Sequence, residues 1–146
     1  MKPKITAVAA LVVFLVSCTP KPEKIAYGTN ACHYCKMNIV DDRHASEIVT
    51  KKGKVYKYDA IECMLGDINA NASRKVALYL VMDYSKPDNF TDATQAVYLI
   101  SEEVPSPMGA FLSAFGDEQD AVKIRDEKSG ELFSWEAIQK RFAAEY

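Results

Sequence analysis

"GKVYKYDAIECML" (residues 53–65) has an echo near the C-terminus, "GELFSWEAIQKRF" (residues 130–142). In register, Gly53 matches Gly130, Val55 matches Leu132 and Tyr56 matches Phe133. Tyr58 then matches Trp135, Asp59 Glu136, Ala60 Ala137 and Ile61 Ile138. Each copy opens on a glycine and runs through bulky residues of strand type. Each then changes to helical spacing. In the first copy Ile61, Met64, Leu65 and Ile68 make one apolar helix face, and Asp59 with Glu62 three residues on has the form of a capping box. A change of period at the same point in both copies predicts a repeated strand, strand, helix unit.

The flanking sequence supplies the other elements. "ASEIVTKKGKVYKYD" (45–59) reads as two strands around Lys51-Lys52-Gly53, and "KVALYLVMDY" (75–84) as a central strand. "SKPDNFTDATQ" (85–95) reads as a polar loop, "AVYLIS" (96–101) as a strand and "EEVPSPMGA" (102–110) as a loop bracketed by prolines. Apolar "FLSAF" follows. Asp117 is placed to cap a helix reaching about Lys128, and "EAIQKRFAAEY" closes the chain as a helix. The expected fold is α+β: two tandem ββα-type units in one compact domain. Met37 precedes the first unit and Met108 the second, so equivalent loops would each present a methionine.

The N-terminus sets the compartment. Lys2 and Lys4 precede an apolar run from Ile5 to Val16, too short to span a bilayer and of signal-peptide length. The run ends in Leu15-Val16-Ser17-Cys18, which is similar to a bacterial lipobox. Residues 1–17 are therefore expected to be a lipoprotein signal peptide and Cys18 the lipid attachment. Residues 18–29, with "TPKPEKIAYGTN", would form a tether and residues 30–146 the domain. The net charge of −2 becomes more negative once Lys2 and Lys4 are removed, which leaves no basic face for nucleic acid. With Cys18 lipidated, Cys32, Cys35 and Cys63 remain. An odd number of thiols in an oxidising envelope compartment means a free thiol or a metal site.

"NACHYCKMNIV" (30–40) carries the chemistry. Haem attachment needs a histidine directly after the second cysteine, and Lys36 stands there. A redox pair of Cys32 and Cys35 wants a helix after the motif, which "KMNIVDD" does not suggest. A zinc clip from Cys32, Cys35, Cys63 and His33 or His44 has possible spacing but an incomplete ligand pattern. Copper(I), a soft ion, prefers thiolate and thioether sulfur. Cys35 and Met37 would lie on one side of an extended segment, with Cys32 near enough to add a thiolate. Met108 sits between Pro107 and Gly109, where no periodicity calls for a bulky apolar residue. Met64 and Met82 read as core, Cys63 as a buried residue or an auxiliary thiol, and His33 and His44 as surface.

Taken together, these residues resemble the NosL family of copper-binding accessory lipoproteins of nitrous oxide reductase. The matches are the lipobox, then Cys32, Cys35, Met37 and Ile39, then "YKYDAIECM" (56–64) and "SPMGAFLSAF" (106–115). The resemblance implies two tandem ββα units and a non-enzymatic Cu(I) chaperone. It implies a lipid anchor through Cys18 and a domain on the periplasmic side, with Thr19 leaving the outer membrane as the expected one. It implies partners that donate copper and a reductase that receives it during maturation for denitrification. The ligands it implies are Cys35, Met37 and Met108. Lys36 departs from the family pattern, which commonly has glycine there. The competing reading is a lipid-anchored thiol-disulfide oxidoreductase using Cys32 and Cys35.

Overall fold

The Lys51–Gly53 turn folds the chain back so that β1 (Ser46–Thr50) pairs antiparallel with β2 (Val55–Tyr58), Ile48 opposite Tyr56. Gly53 takes φ 80°, a left-handed conformation that a residue without Cβ enters at no steric cost. The structure is a computed structural model describing residues 19–144. The expected signal peptide and Cys18 lie outside the described residues.

β2 leads into α1 (Ile61–Ala70), followed by β3 (Val76–Asp83) and β4 (Lys86–Asp92). The sheet order is β2-β1-β3-β4. A second sheet, of order β6-β5-β7, is built from β5 (Val97–Ile100), β6 (Leu112–Phe115) and β7 (Glu131–Phe133). α2 (Glu118–Lys128) joins β6 to β7, and α3 (Trp135–Ala143) follows β7. Asp117 caps α2 by accepting from the Gln119 N–H, as the sequence predicts. The sheets and helices α1 and α3 share one core, centred on Ile48, Tyr58, Ile61, Met64, Tyr98 and Ile138. Trp135 bridges the sheets, with Tyr79 at 5.6 Å and Tyr98 at 5.9 Å between ring centroids. Each fully buried Ile or Met here contributes on the order of 2 kcal/mol of apolar burial.

The α+β expectation holds, and the echo between the two segments is visible. β2–α1 and β7–α3 both follow a positive-φ glycine, and both bury the matched isoleucine completely. β2 pairs with β1 as β7 pairs with β5. The second unit is split, because β6 and α2 are inserted between its two strands. The loop equivalence expected for the methionines is therefore corrected. Met37 precedes the first strand of its unit, whereas Met108 lies within the second unit, between β5 and β6.

Three further expectations change. Residues 86–92 form the edge strand β4, with Met82 opposite Phe90 and Leu80 opposite Asp92. An exposed edge needs no apolar alternation and tolerates Pro87, so the sequence reads as loop. The residue capping α1 is Ala60, whose side chain offers nothing; Asp59 and Glu62 are both buried and turned to other tasks. The expected tether, residues 18–29, is fastened to the domain at several points among its described residues 19–29, most of which stay exposed. Ile25 enters the core, the Glu23 N–H donates to Glu47 at 2.9 Å, and the Tyr27 hydroxyl donates to Asp88 at 3.1 Å.

Candidate metal centre

Residues 30–39 form a closed loop rather than an extended segment. Ala31 and Asn38 make an antiparallel bridge, the Cys32 N–H donates to the Met37 carbonyl at 2.7 Å, and the Lys36 N–H to the Cys32 carbonyl at 3.1 Å. Lys36 has φ 68°, a left-handed conformation costing a non-glycine residue about 1–2 kcal/mol. That is the physical reason glycine suits this position. It also means that strand-like alternation does not position Cys35 and Met37. Lys36 Nζ reaches back to the His33 carbonyl.

Buried Ile39 and Cys32 pin the loop from inside. The His33 N–H donates to the Lys57 carbonyl of β2 at 2.7 Å, and the His33 ring lies against Tyr56 with centroids 4.5 Å apart. The loop is thereby held beside the start of α1, where Cys63 occupies the third helical position. The Sγ atoms of Cys32, Cys35 and Cys63 converge to within 4.8 Å of one another. Cys32 and Cys63 are buried and Cys35 is half-buried, so the cluster opens to solvent through Cys35. Cys63 is the member the sequence left undecided. It lies off the apolar stripe of α1, and its role depends on a loop some thirty residues earlier in the chain.

Hydrogen bonding makes the three thiols unequal. A hydrogen bond from Cys63 favours the Cys32 thiolate, joined by the main-chain N–H groups of Asp59 and Cys35, and the Cys32 pKa is pushed down to about 5. The Cys35 N–H is 3.4 Å from the Cys32 sulfur. Donation to Cys32 and burial push the Cys63 thiol up, and burial pushes Cys35 up. Of the three, Cys32 is the thiol most disposed to the thiolate form, and metal binding favours deprotonation of its neighbours.

The motif "YKYDAIECM" is the scaffold of this site. Tyr56 packs against the tilted His33 ring and lies under the Arg74 guanidinium, 4.1 Å from the ring centroid. The Tyr58 hydroxyl donates to Asp67 at 2.5 Å, and Arg74 pairs with the same carboxylate. Asp59 is buried against Cys32; burial and the nearby thiolate hold its pKa above the usual carboxylate range. Ala60, Ile61 and Met64 are core.

The second loop is fastened to the same end of α1. Glu62, next to Cys63, accepts from the Ser106 hydroxyl and from the Ala110 N–H at 3.3 Å. Between them the Gly109 N–H donates to the Ser106 carbonyl at 3.0 Å, a turn with Pro107 and Met108 in its central positions. Met108 is 41% exposed and Met37 47%, while Met64 and Met82 are buried. Core filling thus accounts for Met64 and Met82 and not for the other two. Tyr34 and Val40 complete the exposed large apolar side chains of the described residues, so all four lie in or beside these two loops.

The histidines go elsewhere. His33 faces Tyr56 and Tyr58. His44, expected at the surface, is buried between Asp41 at 3.0 Å and Ser113 at 3.0 Å. That line of contacts has the connectivity of a hydrolase triad. Ser113 is fully buried in β6, so no substrate carbonyl can reach it. Among the described residues no histidine or carboxylate oxygen joins the three sulfurs.

A small α+β domain with three cysteine sulfurs at one helix start, an open side and two exposed methionines nearby defines a soft-metal site on a binding protein scaffold. The chain belongs to the NosL family, whose model matches residues 25–143. The match begins at Ile25, the residue of the N-terminal segment that enters the core. The chain is similar to the copper-binding lipoprotein NosL of Stutzerimonas stutzeri, 28% identical over 96% of this chain and 82% of that protein. Its fold is similar to the crystal structure of the copper chaperone NosL from Shewanella denitrificans. That likeness has a TM-score of 0.65 and 24% identity, covering 79% of this chain and 96% of the other.

Proposed function

We propose that this protein is a non-enzymatic Cu(I) carrier, anchored by lipid on Cys18 with its domain on the periplasmic side of the outer membrane. Its client would be a periplasmic copper enzyme, nitrous oxide reductase. The observation that carries the copper reading is the convergence of Cys32, Cys35 and Cys63 within 4.8 Å, with no nitrogen or oxygen donor in the group. Zinc favours four closed ligands, whereas a cluster of sulfur alone, open on one side, suits a soft monovalent ion. The names of the relatives, a copper-binding lipoprotein and a copper chaperone, support the same reading.

In this proposal Cys35, half-exposed, is the ligand common to binding and release. Cys32 supplies the ready thiolate, Cys63 a third thiol, and Met37 and Met108 thioethers at the mouth. An incoming partner ligand binds on the open side before a protein ligand departs. The oxidoreductase reading fares worse, because the lowered pKa belongs to buried Cys32, whereas an attacking thiolate must be accessible.

Anaerobic titration of the copper-free protein with Cu(I) should give one tight equivalent. Affinity should drop about tenfold or more in Cys35→Ser and in Cys63→Ser, with a smaller loss in Met108→Ala. Unchanged affinity in all three variants would remove the proposal.

A further inference from the structure

Lys51, Lys52, Lys54 and Lys75 collect at one end of the first sheet, where the β1–β2 turn meets the start of β3. The Lys51 N–H donates to the Lys75 carbonyl at 3.0 Å, and all four side chains line one open depression with Tyr56 and Arg74. Each lysine is exposed. Arg74 is committed to Asp67, but none of the ion pairs among the described residues involves these four lysines. A protein of net charge −2 thus holds four unneutralised cations together in one place.

The depression adjoins the cysteine loop through one aromatic ring. Its floor is Tyr56, with Lys54 Nζ 4.7 Å from the ring centroid, and the same ring carries His33 of the cysteine loop at 4.5 Å. Lys36 extends the positive charge onto that loop. The four exposed apolar side chains, Tyr34, Met37, Val40 and Met108, belong to the two loops at the cluster. An apolar centre with a charged flank has the anatomy of a protein docking surface.

We propose that this lysine flank and apolar centre together form the docking face for the protein that exchanges copper with the site, and that the partner presents an acidic surface around its own metal-receiving groups. The proposal rests on the copper-carrier reading. The lysines steer the encounter electrostatically and fix its orientation, while the apolar side chains exclude water over the sulfurs. Steering of this kind raises association rates by roughly tenfold to a thousandfold and weakens with salt.

The test uses full-length lipidated protein in phosphatidylcholine nanodiscs, loaded with one Cu(I), and copper-free nitrous oxide reductase as acceptor. Lys51→Glu/Lys52→Glu/Lys75→Glu should still bind one Cu(I) at wild-type affinity but transfer it about tenfold or more slowly at low salt. The wild-type rate should fall with added salt and the variant's should not. The control Lys123→Glu/Lys128→Glu, on α2, should transfer within twofold of wild type. Equal transfer by the lysine variant, or an equal loss in the control, overturns the docking face. Protection of residues 50–56 from amide exchange in phosphatidylglycerol nanodiscs, with transfer unaffected by the substitutions, also overturns it and assigns the lysines to lipid. A wild-type protein that holds no Cu(I), or passes none to the acceptor, overturns the underlying function instead and is told apart by the titration.

Discussion

Glu47 shows how a single side chain records the docking of the N-terminal segment. It is buried in β1 and accepts the Glu23 N–H through Oε1, while Oε2 has no partner. Burial raises its pKa from 4.5 to about 7, with Lys57 opposing. A raised carboxyl pKa means that the folded state binds the proton more tightly than the unfolded chain. The stability it brings is complete below 4.5 and is lost as pH rises through about 7. Glu47→Gln should therefore flatten the fall in melting temperature of the wild type between pH 5 and pH 8, measured by thermal unfolding. An undiminished slope in the variant would show that Glu47 is not its source. At this scale the sequence was legible where exposure decides the matter. Met108 had no periodic place in the core, Met37 was read beside Cys35 as a ligand, and both are exposed. It was not legible at Cys63, because one residue's position on a helix does not reveal which loop covers that helix's start. His44 is a similar case, since its partner Ser113 belongs to the second sheet.

The elements separate what is repeated from what is inserted. Gly53 and Gly130 open the matched segments with φ 80° and φ 119°, but their surroundings differ. A Cβ at Gly53 meets open space, whereas one at Gly130 would lie 2.4 Å from the Ile100 carbonyl oxygen. Gly53→Ala should cost about 1–2 kcal/mol, the left-handed penalty alone, and Gly130→Ala distinctly more, read by denaturant unfolding. Equal costs would contradict the close approach of β5 and β7. The 102–110 loop depends on Glu62 in the same concrete way. Glu62→Ala leaves the Ser106 hydroxyl and the Ala110 N–H without their acceptor, at about 1–3 kcal/mol. If that anchor positions Met108, Glu62→Ala should weaken Cu(I) binding about as much as Met108→Ala, and the double variant little further. Additive losses would separate the anchor from the metal. Strands with apolar pattern and helices with caps could be read from the sequence. β4 could not, because an edge strand satisfies its pairing through main-chain groups that composition does not report. The insertion of β6 and α2 between β5 and β7 was equally hidden, since matched segments say nothing about which strand completes each pair.

For the molecule as a whole, the fold brings two loops far apart in sequence to one end of α1. Residues 30–39 reach it through His33, Cys32 and Ile39, and residues 102–110 through Ser106 and Ala110. The polar network of Tyr58, Asp67 and Arg74 braces it from beneath. What results is a cluster of three cysteine sulfurs, open through Cys35, with an exposed methionine in each of the two loops. The most direct test of this account is X-ray absorption at the copper edge on protein carrying one Cu(I), for the wild type and for Cys35→Ser, Cys63→Ser and Met108→Ala. The account predicts a first shell of two or three sulfurs with no nitrogen or oxygen, losing sulfur in each variant. A shell containing nitrogen or oxygen, or a spectrum unmoved by all three substitutions, would contradict it.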